Sequence, residues 1–207
     1  MKIVALFFVI LMAGFGGCDK VKAQTQTSDN LIYSTVNPAT NGASYNWTGF
    51  TTTTSNGGGL SGGNTPAYNP STGTFMFGYS QGTIAYTMAV NSALAGSGIQ
   101  VGGMNYGFEY YNQDSARGTL STTVRLLSNT GSILNSYTHS LGQTTSGWTQ
   151  FSQTQSFTNP YVIANIGNAT MSFTGKDDRF WAGYYGPQFR SPYLTLNYTV
   201  DPCVGNP

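Results

Sequence analysis

Charge is what this chain has least of: 8 Lys and Arg, 7 Asp and Glu and one His in 207 residues. Glutamate occurs once, at Glu109, and cysteine twice, at Cys18 and Cys203. Each scarcity excludes a class of function. Two distant cysteines and one histidine cannot assemble a zinc site of the usual ligand spacing. No serine sits in a nucleophile motif. No basic stripe is present to neutralise phosphates, so a nucleic-acid partner is not expected. Polybasic docking on anionic lipid is excluded for the same reason. What remains is Gly, Ser, Thr, Asn, Gln and Tyr, which keep a surface soluble through hydroxyls and amides.

The first residues read as an export signal. Lys2 supplies the positive end, Ile3 to Phe15 an apolar run, and Gly16-Gly17-Cys18 a small-residue stretch. The run is shorter than the ~20 residues that a membrane-spanning helix needs. Two cleavage readings stand. Val21-Lys22-Ala23 suits signal peptidase, leaving residues 1–23 as the signal. Phe15-Gly16-Gly17-Cys18 is a degenerate lipobox, with the signal at 1–17 and lipid on Cys18. Because Phe15 replaces the usual Leu, plain secretion is favoured. After Ala23, five Lys/Arg and six Asp/Glu remain, a net charge near −1. Cys203 is then an odd thiol, either free in the tail or paired with a second chain. If Cys18 stays unlipidated, a Cys18–Cys203 bridge is a further option.

Residues 24–30 form a polar lead-in, and 31–203 read as one domain with 204–207 as tail. Short two-periodic runs separated by turn residues predict strands. The first is Leu31 to Thr35, ended at Asn37-Pro38. Asn56 to Asn64 (NGGGLSGGN) offers no side chains for a core and reads as a loop. Strands follow at Thr74–Tyr79, Thr83–Val90 and Ile99–Tyr111. The last carries a phase slip at Gly102-Gly103 that a bulge would produce. Gly118–Ser128 and Ile133–Ser140 form a hairpin about Asn129–Ser132. Trp148–Phe157, Tyr161–Ile166, Met171–Phe173 and Tyr193–Val200 complete the set, with one short turn at Asn91–Gly96. Many short strands without helices between them predict an all-β antiparallel β-sandwich or jelly roll.

Two clusters hold most of the remaining charge. Residues 109–125 contain Phe108-Glu109-Tyr110-Tyr111, a carboxylate among aromatics such as a glycosidase shows. Small Gly/Thr/Tyr-rich xylanases carry a similar Glu-Tyr-Tyr strand, and that likeness would imply a hydrolase using Glu109. Glycoside hydrolysis needs two carboxylates, and only Asp114, Asp177 or Asp178 could supply the second. The structural alternative, which we favour, has Glu109 facing outward and paired with Arg117 or Arg125. The second cluster, Lys176 to Pro187 (KDDRFWAGYYGP), offers Asp177 and Asp178 as Ca²⁺ ligands. It also offers Trp181, Tyr184 and Tyr185 as stacking faces for a sugar, with Trp47 as a further face. Its structural alternative is a corner where Arg179 meets an Asp and Trp181 plugs the sandwich end. His139 reads as an ordinary surface side chain.

The segment KDDRFWAGYYGP, with Leu194, Leu196, Tyr198 and Asp201-Pro202-Cys203, resembles a module of uncharacterised proteins of marine bacteria and their phages. The likeness is strongest over about residues 66–203. It implies a β-sandwich displayed on a surface or particle, and it brings no activity with it. Proteins of this look often continue with further Cys-containing sequence. The export signal tilts the resemblance toward a secreted bacterial protein.

The expected function is therefore an exported, non-enzymatic structural or adhesive module, secreted or held at the cell surface and needing no cofactor. It would assemble with copies of itself into filaments, with residues 24–36 as a donor strand or through Cys203. The alternative is a lectin-like domain binding a surface glycan.

Overall fold

The computed structural model describes residues 25–32, 50–55, 67–69, 74–77, 81–94, 96, 98–112, 118–144, 147–177 and 187–201. Eleven strands alternate with little else: β1 (Thr25–Thr27), β2 (Phe50–Ser55), β3 (Ala67–Asn69), β4 (Thr74–Met76), β5 (Gln81–Ala89), β6 (Ile99–Tyr111), β7 (Gly118–Ser128), β8 (Ile133–Leu141), β9 (Thr149–Val162), β10 (Ile166–Asp177) and β11 (Gln188–Val200). One helical turn, α1 (Val90–Ala93), precedes β6, and a 3-10 turn (Ile163–Asn165) joins β9 to β10. Among the described residues no helix is long and apolar enough to cross a membrane.

The strands form two antiparallel sheets. Sheet A runs β3-β4-β11-β6-β9, with β1 also on β11, and sheet B runs β2-β5-β10-β7-β8. From β4 to β11, successive strands go to opposite sheets except at the β7–β8 hairpin. That is the connectivity of a jelly roll. Period-2 alternation drives it, because residues two apart share a face. Ile99 and Val101 of β6 are buried, and beyond the slip so are Met104, Tyr106 and Phe108. The register on both neighbouring strands skips Gly102, confirming the bulge as the cause of the phase change.

The sheets meet through aromatic rings. Phe189 of sheet A stacks on Phe173 of sheet B with centroids 3.7 Å apart, and on Phe75 at 4.6 Å. Phe108 meets Phe173 edge-on at 4.8 Å. These rings are buried. A core of this kind needs no ionic support.

Several expectations are corrected. The lead-in at 24–30 contains a strand: β1 pairs Thr25 with Thr199 and Thr27 with Asn197 of its own chain. Past β1, backbone and side chains share the pairing: the Ser28 and Leu31 N–H groups donate to the Leu196 and Leu194 carbonyls, each at 2.9 Å. Ser28 Oγ accepts from the Leu196 N–H (2.9 Å) and Asn30 Oδ1 from the Leu194 N–H (3.1 Å). Leu31 and Ile32 lie in a turn rather than a first strand and are buried between the sheets. Tyr86 donates to the Ile32 carbonyl at 3.4 Å. The proposed donor segment is thus engaged in cis, at residues 25–32, by its own β11. Residues 33–36 and the Asn56–Asn64 loop lie outside the described residues.

Two outcomes test this packing. Asn30→Ala removes the acceptor for the Leu194 and Ile32 N–H groups and should cost about 1–3 kcal/mol in urea unfolding. Burial pushes the Tyr86 hydroxyl from 10.0 to about 12 and raises Tyr106 as well. Both groups are held neutral in the fold, so their contribution is present below the unfolded value and lost as pH rises through the folded one. Stability should hold to about pH 10 and fall between 10 and about 12. Tyr86→Phe should shrink that fall, as measured by denaturant midpoints across pH.

Candidate functional site

The outer face of sheet A carries the most organised set of side chains. Its rows, read across β11, β6 and β9, are Arg190–Glu109–Gln150, Tyr193–Gly107–Ser152, Thr195–Asn105–Thr154 and Asn197–Gly103–Ser156. Simple alternation from Phe189 would turn Tyr193 inward. A bulge prevents this: Ser191 and Pro192 together fill the space between Arg190↔Glu109 and Tyr193↔Gly107. Ser191 takes a left-handed conformation at φ 50°, which a non-glycine residue adopts at a cost. Leu194 and Leu196 then face the core, and Tyr193 faces out.

Gly107 makes room for that tyrosine. A Cβ at Gly107 would fall 2.7 Å from Tyr193 Cε1, 2.8 Å from its hydroxyl and 2.5 Å from the Phe151 carbonyl. The ring therefore sits against bare backbone and is half-buried.

Beside it, Glu109 and Arg190 form a two-pronged pair, with Nε donating to Oε2 at 2.8 Å and Nη2 to Oε1 at 3.3 Å. Both side chains are 32% exposed, so the pair contributes little to stability and mainly fixes geometry. The Arg190 guanidinium sits 4.2 Å over the Trp148 ring, and Tyr111 flanks Trp148 at 5.9 Å. On the other side of Tyr193, Asn105 and Asn197 exchange amide hydrogen bonds at 2.9 and 3.2 Å. Glu109 and Arg190 are the only charged residues of β6, β9 and β11, so these three strands carry no net charge. Three rings with amides and hydroxyls between them can stack on an apolar face and hydrogen-bond to a polar rim.

Of the residues singled out from sequence, Glu109 lies on this face and pointed outward as expected. Its partner is Arg190. Arg125 lies exposed on β7 of the other sheet, and Arg117 lies outside the described residues. Asp177 ends β10 in sheet B, opposite Gly118, whereas Glu109 points away from that sheet. The side chain of Asp177 lies outside the described residues. So do Asp114, Asp178, Trp181, Tyr184, Tyr185, Trp47, Cys18 and Cys203. No group of metal-binding side chains occurs among the described residues. His139 is not an ordinary surface residue. Half-buried on β8, it shares a 2.8 Å hydrogen bond with the buried Tyr106 hydroxyl and packs 5.1 Å from Phe151. Sequence reasoning missed Tyr193, Gly107, Trp148 and Arg190 as a group. The one available signal was an aromatic and an arginine on either side of Ser191-Pro192.

No protein-family model matches the chain, and no curated protein matches it. Solved structures with similar architecture include the enzymatically active domain of tailspike protein 4 of bacteriophage CBA120. That match has 11% identity over 72% of this chain and 19% of that one, with a TM-score of 0.45. A family 35 carbohydrate binding module from Clostridium thermocellum is 18% identical over 72% of this chain and 87% of that chain, at 0.31. The structure of infectious bursal disease virus strain Gx is 10% identical over 91% and 36%, at 0.36. The chain thus spans about a fifth of the tailspike domain and about a third of the viral protein.

Gly107→Ala tests the platform. The new methyl must displace the Phe151 carbonyl as well as the ring. Thermal or urea unfolding should show a loss of about 1–3 kcal/mol, and solvent exposure of Tyr193 should rise.

Proposed function

We propose that this protein is an exported, non-enzymatic glycan-binding module, secreted or held at the cell surface. Its ligand would lie on the outer face of sheet A. The observation that carries the reading is the Tyr193 ring set against Gly107, next to hydrogen-bonding side chains and on strands without net charge. A pyranose has an apolar face of axial C–H groups and a rim of hydroxyls. The ring offers the matching surface for the first, and Glu109, Arg190, Asn105 and Ser152 offer partners for the second. The neutral face suits an uncharged polysaccharide better than an acidic one, because anionic sugars would meet Glu109 with no surplus cation.

Two observations favour binding over hydrolysis. The carboxylate of Glu109 is occupied by Arg190, and its row neighbours Thr74 and Gln150 carry no second carboxylate. A structural or adhesive role is the second reading, favoured by the long uncharged edge strands β8 and β9.

A glycan array and affinity electrophoresis in uncharged polysaccharides, with and without Ca²⁺, test the first reading. The wild type should be retarded by at least one neutral polysaccharide. Tyr193→Ala should weaken that at least tenfold while leaving the fold intact, since only the outer face changes. Dependence on Ca²⁺ would point to the Asp177-Asp178 pair rather than to the outer face of sheet A. Absence of any glycan binder, or binding indifferent to Tyr193, would sink the assignment.

A further inference from the structure

Sheet A ends at β9, and among the described residues no strand covers its far side. Edges of this kind are normally guarded by charge, proline or brevity. At the opposite sheet margins brevity serves, for β3 has 3 residues and β2 has 6. β9 has 14, none of them charged. It pairs regularly with β6 from Thr149 to Ser156, then loses register through Pro160 before resuming at Tyr161.

At the end of the regular run, reaching one residue beyond it, lies a sequence that reads the same in both directions: Phe151-Ser152-Gln153-Thr154-Gln155-Ser156-Phe157. Antiparallel pairing reverses one strand against the other. A symmetric strand is therefore complementary to itself about its central residue. With Thr154 on a two-fold axis, Phe151 meets Phe157 of the partner subunit. In the same way Ser152 meets Ser156 of the partner subunit, and Gln153 meets Gln155 of the partner subunit. The faces agree too. Ser152, Thr154 and Ser156 are exposed on the outer side, while Phe151, Gln153, Gln155 and Phe157 turn toward the core. Ring opposes ring, amide opposes amide and hydroxyl opposes hydroxyl, which are favourable cross-strand pairs. The other free edge on this flank, β8 (ILNSYTHSL), has no such symmetry.

We infer that β9 is a homodimer interface, in which a second copy of this chain adds antiparallel about Thr154 and makes sheet A continuous across the pair. The contact is isologous and so closes at two copies. Register loss after Ser156 and Pro160 limit it to the stretch up to Phe157. The inference does not rest on glycan binding, and Tyr193→Ala should leave association unchanged.

Sedimentation velocity of the mature chain carrying Cys203→Ser, over a wide concentration range, should show a reversible monomer–dimer equilibrium. Thr154→Lys and Thr154→Glu each place like charges opposite one another on the axis, and each should weaken the dimer at least tenfold. Mixing the two variants should restore it. A wild type monomeric at every concentration, a dimer indifferent to both variants, or folded variants that stay monomeric when mixed would each overturn the interface. If a charged variant loses its β-sheet circular dichroism, Thr154→Cys decides the matter in a chain with Cys18→Ser and Cys203→Ser. Mild oxidation should link it into a covalent dimer, and failure to do so counts against the proposal.

Discussion

The stack of Phe75, Phe189 and Phe173 is the contact on which the rest of the molecule depends. It joins sheet A to sheet B where Phe189 meets Phe173 at 3.7 Å, and ties β4 to β11 within sheet A where Phe75 meets Phe189 at 4.6 Å; each buried ring contributes about 1.5–3 kcal/mol. Strand alternation then carries its effect to the opposite surface. Fixing Phe189 inward fixes Arg190 outward, and fixing Phe108 inward places Gly107 and Glu109 outward on the neighbouring strand. The ion pair and the tyrosine platform are the reverse side of the core.

Two irregularities turn that surface from a plain ladder into a site. The Gly102 bulge changes the phase of β6 so that both its apolar halves reach the core. The Ser191-Pro192 bulge does the same for β11, and it also brings Tyr193 to the outer face over Gly107. Each is a local departure from regular pairing that recovers burial of apolar side chains further along the strand. The left-handed backbone at Ser191 persists because Phe189 on one side and Leu194 on the other are held in the core.

Much of this was legible in the sequence. β6 was expected at Ile99–Tyr111 with its slip at Gly102-Gly103, and the β7–β8 hairpin about Asn129–Ser132. Both carry strong alternation or a recognisable turn. β1 was not legible, since Thr25-Gln26-Thr27 has exposed side chains and no apolar phase. Its place is set by Ser28 and Asn30, whose side chains stand in for backbone on β11. The first half of β11 was hidden as well, because Ser191-Pro192 reads as a break. Of the candidate site only Glu109 was named. Its partner Arg190 lies 81 residues away, a separation that no local pattern spans.

The sequence by itself determined that this is a low-charge, all-β chain with one glutamate, too few cysteines and histidines for common metal or triad chemistry, and a palindromic stretch at 151–157. Composition and a two-residue period are local properties, readable along the chain. Only the tertiary structure decided that β11 lies beside β6, that Glu109 meets Arg190, that Tyr193 rests on Gly107, and that the palindrome falls on β9, the last strand of sheet A among the described residues. Those facts depend on which strands become neighbours, and that is set by how the aromatic core closes between the sheets.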